Sequence, residues 1–231
     1  VLGGSSRCSS CGAPIRWFDK VPLLSWVLLR GKCRSCGEPI PGFHPLVELA
    51  VPTIGFLLSI ALEWGWRLSP ALWLVPIGVA VSMIDLRTYI VPTRLVWPAL
   101  VVSVVLSLVG ALASDEPRWM LGGLFGVLLL AGPLFVIWFI LPSGMGFGDV
   151  RLTVLLGWTL GFSSIKGSWA SVAFVAVGTL ALAAVLGIVL GVVGLSVRGR
   201  NAKVPFGPAL FGATIVMIAW SEEILRGFQI S

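Results

Sequence analysis

Apolar residues in this chain rarely alternate with polar ones; over most of its length they run on without interruption. Charge-free stretches extend from Leu49 to Leu62, Leu68 to Ile84, Leu95 to Ser114, Trp119 to Gly148, Leu152 to Ile165, Gly167 to Val197 and Val204 to Ser221. A helix needs about 20 predominantly apolar residues to cross a bilayer, so the pattern predicts an all-α polytopic membrane protein with about seven transmembrane helices. The first and fifth runs are short, and reach spanning length by taking in Pro45 to Glu48 and Gly148 to Arg151. Ahead of the first run lies a polar segment that predicts a separate small module. The boundaries drawn are 1–44 for the module, 45–221 for the transmembrane domain and 222–231 for a carboxy-terminal tail.

Composition agrees with this reading, at 57% hydrophobic and 11% charged residues with a mean hydropathy of +1.01, outside the range of ordinary soluble domains. The net charge of +6 does not point to nucleic acid, because the basic residues are scattered between apolar runs and not gathered on one face. Topology accounts for them. With the amino terminus inside, twelve fall on the cytoplasmic side (Arg7, Arg16, Lys20, Arg30, Lys32, Arg34, Arg87, Arg94, Arg151, Arg198, Arg200, Lys203). Four (Arg67, Arg118, Lys166, Arg226) fall outside, as the positive-inside rule requires. Trp64, Trp66, Trp119 and Trp220 lie near predicted boundaries, where interfacial anchors belong. The glycines and alanines from Ala170 to Gly194 match small-xxx-small helix packing.

All four cysteines lie in the polar module, as Cys8-Ser9-Ser10-Cys11-Gly12 and Cys33-Arg34-Ser35-Cys36-Gly37. A two-residue spacer lets a tight turn aim two thiolates at one ion, and two such knuckles complete a tetrahedral, structural zinc site. Two disulfides are the alternative; they need an oxidising compartment, and the charge count places this segment in the cytoplasm, so zinc is preferred. Trp17, Phe18, Trp26 and Leu28 are expected to form a small core over the ion, while the Arg and Lys residues among them suit anionic headgroups.

Two carboxylates stand at the ends of apolar runs, Asp85 and, 64 residues later, Asp149 within Gly144-Met145-Gly146-Phe147-Gly148-Asp149. Ionisable groups at membrane depth are costly and read as functional. Paired carboxyls do not both ionise cheaply, so one holds a proton while the other takes one from water, the logic of an aspartyl protease. Gly144, Gly146 and Gly148 permit positive φ and close approach of an extended peptide beside the acid. The bland reading makes each Asp a helix-terminal residue, Asp149 an N-cap. Glu48 suits a helix-start acid, and His44, the lone histidine, a surface loop residue. A second functional class, a small cation or proton transporter using the same acids with the zinc module for docking, is also open.

The chain resembles the bacterial type IV prepilin peptidases, prepilin leader peptidase/N-methyltransferases of the GxGD intramembrane aspartyl protease class. The carriers are Ser6 to Gly12, Pro22-Leu23-Leu24-Ser25-Trp26, Gly31 to Gly37, Pro45-Leu46-Val47-Glu48-Leu49, Ile84-Asp85-Leu86 with Ile90-Val91-Pro92, Gly144 to Leu152, and Val204-Pro205-Phe206-Gly207-Pro208. The resemblance implies that Asp85 and Asp149 cut the basic leader from type IV prepilin or pseudopilin precursors at the cytoplasmic face of the bacterial inner membrane. It further implies that the new amino terminus is methylated from S-adenosylmethionine, and that Lys203, Pro205, Phe206, Gly207 and Pro208 form an active-site loop. Members usually carry a further transmembrane helix before the first knuckle; here seven residues precede Cys8. Thr93 stands where Asp or Asn is frequent, and Arg151 where Lys is usual.

Overall fold

The computed structural model describes residues 6–62, 64–142, 145–164, 168–198 and 205–227. The chain divides into two compact units, residues 1–54 and 55–231. In the first, a 3-10 turn Trp17–Lys20 and a short helix α1 (Leu24–Leu28) lie between the two cysteine knuckles. Neither contains a buried residue. Trp17 is 80% exposed and Leu28 71%, so the expected core over the ion does not form. Trp26 alone of the four is drawn in, its ring against Gly31 and its Nε1–H donating to the Ile40 carbonyl. About 50 residues enclose too little volume for a core of their own.

Helix α2 (Phe43–Ala61) crosses the boundary between the units. It begins earlier than its apolar run, taking in Pro45 to Glu48 as the length requirement demands, and it places His44 in a first helical turn, exposed and ring to ring with Phe43.

Among the described residues of the second unit the regular structure is all helical, joined by short turns: α3 (Leu68–Thr88), α4 (Thr93–Ala113), α5 (Arg118–Ile140), α6 (Phe147–Ser164), α7 (Trp169–Arg198) and α8 (Gly207–Gly227). The long helices α2 to α8 stand where the apolar runs do. Five of them, α2, α3, α4, α5 and α7, are long and apolar enough to cross a membrane, and Gly207–Ser221 is a shorter apolar segment. The run from Trp119 to Gly148 is divided. Its helix stops at Ile140, and Leu141, held before Pro142, takes φ −130° and ψ 67°, because a residue preceding proline is pushed out of the helical region.

Helix α6 is the hub. From Val150 to Ser164 only Arg151 and Val154 are not buried, and the helix touches α3, α4, α5, α7 and α8. It tolerates Thr153, Thr159, Ser163 and Ser164 because protein, not lipid, surrounds it, and most of their hydroxyls find partners. Ser103 and Thr159 share a bond of 3.3 Å between α4 and α6, Trp158 Nε1–H donates to Ser107 at 3.1 Å, and Ser163 donates to the Arg67 carbonyl at 3.0 Å.

Helices α5 and α6 approach backbone to backbone. A Cβ on Gly157 would lie 2.6 Å from the Gly126 carbonyl oxygen, and one on Gly126 would lie 2.8 Å from Gly161 Cα. Small-residue packing of this kind is expected in membrane bundles, but here the tightest crossing lies on α5 and α6 and not in the Gly/Ala-rich α7. Glycines of α7 instead receive side chains from α8 and from the residue just ahead of it: Gly178 takes Met217 and Gly187 takes Phe206.

Candidate active site and metal centre

Asp85 lies in the last turn of α3, where its carbonyl accepts the Tyr89 N–H and Tyr89 closes the helix in the left-handed region at φ 56°. Its side chain is 4% exposed. One carboxylate oxygen, Oδ2, accepts the Gly207 N–H at 2.9 Å across 122 positions of the chain. The reason is local. Gly207 opens α8, its N–H has no acceptor within the helix, and Pro208 behind it has no N–H to offer but is tolerated in a first turn. The position is tight, since a Cβ there would stand 2.8 Å from Asp85 Oδ2 and one of the two would have to shift. The start of α8 is seated by two aromatic rings on glycines, Phe206 on Gly187 of α7 and Phe211 on Gly78 of α3.

Asp149 is the third residue of α6, partly buried, and so lies inside the helix instead of capping it. Its N–H reaches back to the Gly146 carbonyl at 3.1 Å. Helices α3, α6 and α8 pack on one another, with Asp85 in the last turn of α3, Asp149 in the first turn of α6 and the amino terminus of α8 against Asp85. Gly146 is exposed, and a Cβ there would stand 3.8 Å from Asp149 Oδ2. Gly148 is pressed on Val91, to whose Cβ a Gly148 Cβ would come within 2.9 Å.

Pro205 and Phe206 are partly buried and lead into Gly207 and Pro208; Lys203 and Gly144 lie outside the described residues. Thr93 and Arg151 meet, Arg151 Nη1 donating to Thr93 Oγ1 at 2.7 Å. Pattern reading placed Gly187 among the small residues of helix packing but did not single out Gly78 or Phe211, which also seat α8; nothing in a run of apolar residues marks which glycine receives which ring.

In the first unit the two knuckles repeat one geometry at a spacing of 25 residues. Cys8 N–H donates to Ala13 O and Gly12 N–H to Cys8 O; Cys33 N–H donates to Glu38 O and Gly37 N–H to Cys33 O. Bridges Arg7–Pro14 and Lys32–Pro39 close them, and Gly12 and Gly37 both take positive φ, 68° and 73°. The four sulfurs lie within 4.8 Å of one another, Cys8 and Cys36 at 4.0 Å. The edge of a tetrahedral four-thiolate zinc site with Zn–S bonds of 2.3 Å is about 3.8 Å, so Cys8, Cys11, Cys33 and Cys36 fit a metal ion. The backbone N–H groups of Cys11 and Ser10 hold the Cys8 thiol down at about 6. The Glu38 N–H acts in the same sense on Cys36, but desolvation and the sulfurs of Cys11, Cys33 and Cys8 outweigh it and push that thiol up to about 12. Four clustered thiols resist shedding their protons together unless a cation gathers the charge.

The knuckles are braced by Asp19, which accepts from Arg34 Nη2 at 2.7 Å and from Nε at 3.0 Å, and by Glu48, which accepts the Leu23 N–H at 2.8 Å. A recess of about 690 Å³ opens in the module, lined by Ser25, Trp26, Arg34, His44 and Glu48 among others.

Two family models match the chain, the bacterial Peptidase A24 N-terminal domain over residues 1–62 and the type IV leader peptidase family over residues 72–192. The prepilin leader peptidase/N-methyltransferase of Stutzerimonas stutzeri is 32% identical over 228 residues, covering 96% of this chain and 74% of the relative. Proteins of the same name from Aeromonas hydrophila and Pseudomonas aeruginosa are 32% and 31% identical, over 96% and 97% of this chain and 74% of each relative. No solved structure matches.

Proposed function

The chain belongs to the type IV leader peptidase family, and we propose that it is a multi-pass membrane endopeptidase that removes the basic leader from type IV prepilin or pseudopilin precursors, with Asp85 and Asp149 as its catalytic pair. One carboxylate takes a proton from water as the oxygen attacks the scissile carbonyl. The other gives its proton to the developing oxyanion, and collapse of the tetrahedral intermediate expels the amine, which takes up a proton as it leaves. The observation that carries this reading is the convergence of α3, α6 and the start of α8, where the buried Asp85 accepts the Gly207 N–H and Asp149 lies in the first turn of α6. The exposed Gly146 leaves the backbone ahead of Asp149 open, and the Pro205–Pro208 segment adjoins Asp85 through Gly207. An extended peptide has main chain to pair with on either side.

Cys8, Cys11, Cys33 and Cys36 hold zinc as a closed structural shell, with no open position for chemistry. The module faces the cytoplasm of a bacterial inner-membrane protein, in keeping with twelve basic residues on that side. Methylation of the new amino terminus belongs to the module as well. S-adenosylmethionine, when bound, supplies the methyl group, and the recess lined by Trp26 and Glu48 has a volume suited to a small-molecule ligand. The names of the relatives support this second activity. Nothing in the family match supports the transporter alternative.

The test is incubation of the lipid-reconstituted protein with a prepilin-type precursor and S-adenosylmethionine, with mass spectrometry of both products. A single cut behind the basic leader supports the peptidase, and an added 14 Da (about one CH₂ equivalent, the net gain when a methyl replaces a hydrogen) on the new amino terminus supports the transferase. An intact precursor together with proton or cation flux into vesicles would overturn the proposal.

A further inference from the structure

The turn from Tyr89 to Thr93 lies between the two aspartate-bearing helices, and three observations tie it to both. It starts on Asp85, whose carbonyl accepts the Tyr89 N–H at 2.8 Å. Its middle residue, Val91, is the surface against which Gly148 is pressed. At its end Thr93, the first residue of α4, accepts the bond of 2.7 Å from Arg151 on α6. The Arg151 guanidinium also lies over the ring of Phe147, the first residue of α6, at 4.6 Å from its centre. One cation therefore holds the first turn of α6 internally and to α4. Residues two apart on a helix do not share a face, which directs Arg151 away from the side that Asp149 presents. Among the described residues no carboxylate lies within ion-pair distance of Arg151, leaving the Thr93 hydroxyl as its polar anchor.

We propose that Arg151 and Thr93 are a positioning pair that latches the start of α6 to the α3–α4 turn and so fixes Asp149 against Asp85. The inference rests on reading the two aspartates as the catalytic pair. The latch acts through α6 and touches no substrate. A charged donor on a hydroxyl in a partly buried site makes a stronger bond than a neutral pair. The stacked ring adds a second restraint on the same guanidinium. Catalytic geometry tolerates displacements of only about 0.5 Å, so releasing the latch lowers turnover more than it lowers substrate binding.

Prepilin cleavage by the full chain in lipid nanodiscs, read as kcat and KM with the melting temperature of each variant, tests this. Thr93→Val and Arg151→Met are each expected to lower kcat about tenfold, equivalent to 1.4 kcal/mol of barrier, with KM within about twofold. The double variant is expected to fall no further than the worse single, because both remove one bond, and Thr93→Ser is expected to retain wild-type kcat. Unchanged kcat in Thr93→Val, losses that multiply in the double variant, or a fall in melting temperature alone would overturn the latch. Thr93→Val is nearly isosteric and carries the test if Arg151→Met does not fold. Asp149→Asn is run alongside. If it still cuts, the catalytic-pair reading fails; if it is dead while Thr93→Val turns over normally, the latch alone fails.

Discussion

The two units of this chain are held together by opposite means. The amino-terminal unit buries almost nothing in its 3-10 turn and α1, and its order comes from two knuckles, an Asp19–Arg34 fork and a cluster of four thiols. The second unit has a core of Leu, Phe and Ala side chains around α6, and its helices close on glycines, backbone to backbone between α5 and α6 and against single side chains at α3 and α7. A small module too poor in core to fold on apolar burial needs a staple, while a helix bundle in lipid gains its specificity from close packing and internal hydrogen bonds. The difference separates their sensitivities: a chelator should disturb one and a single methyl group the other.

The largest effect expected is from Gly126→Val. The neighbouring atoms are the backbone of Gly157 and Gly161, which cannot rotate away. Overpacking on this scale costs about 1–3 kcal/mol even where side chains can shift. Loss of folded, detergent-stable protein is expected in size-exclusion chromatography, whereas the same substitution at Gly132, where nothing lies within 4 Å, should be silent.

Next in size is removal of the metal. Chelation, or Cys33→Ala, is expected to make residues 6–40 protease-sensitive while the helical circular dichroism of the bundle persists. Simultaneous loss of both signals would erase the distinction between the units.

A smaller and more local effect is expected at Gly207→Ala. The new methyl must push against Asp85 Oδ2, so kcat should fall by about tenfold, or 1.4 kcal/mol, with the fold and the zinc content unchanged. An alanine variant with full activity would show that the bond from Gly207 to Asp85 has no part in turnover.

The smallest effect is electrostatic. Arg34, through its hydrogen bonds first and its charge second, holds the Asp19 carboxyl below its ordinary value. A carboxyl depressed in the folded state adds stability above its unfolded value, near 4, and loses that contribution as pH falls through the lower folded value. Protection of the module from hydrogen exchange should therefore weaken below about pH 4, and the weakening should be absent in Asp19→Asn.

How much of this was legible in the sequence follows the same division. The seven runs were readable because lipid demands uninterrupted apolar length, and the knuckles because metal ligands demand fixed spacing. The stop at Ile140 was not readable from charge, since Trp119 to Gly148 contains none; Pro142 and the glycines from Gly144 onward were the local signals. The expected core of Trp17, Phe18 and Leu28 failed because aromatic content predicts burial only where there is enough chain to do the burying. Asp85 and Asp149 stood out as acids in apolar surroundings, but the bond from Gly207 to Asp85 joins residues 122 positions apart, and no local pattern encodes it. Nor could composition show that α6, the least apolar of the bundle's runs, lies at its centre, because burial by protein permits the hydroxyls that burial by lipid would penalise.

The central claim is that Asp85 and Asp149 form one catalytic pair. Its most direct test is prepilin cleavage by Asp85→Asn and Asp149→Asn in nanodiscs, each checked for bound zinc and an unchanged melting profile. The account predicts that both variants bind the precursor and leave it uncut. Cleavage at the wild-type rate by either variant would contradict it.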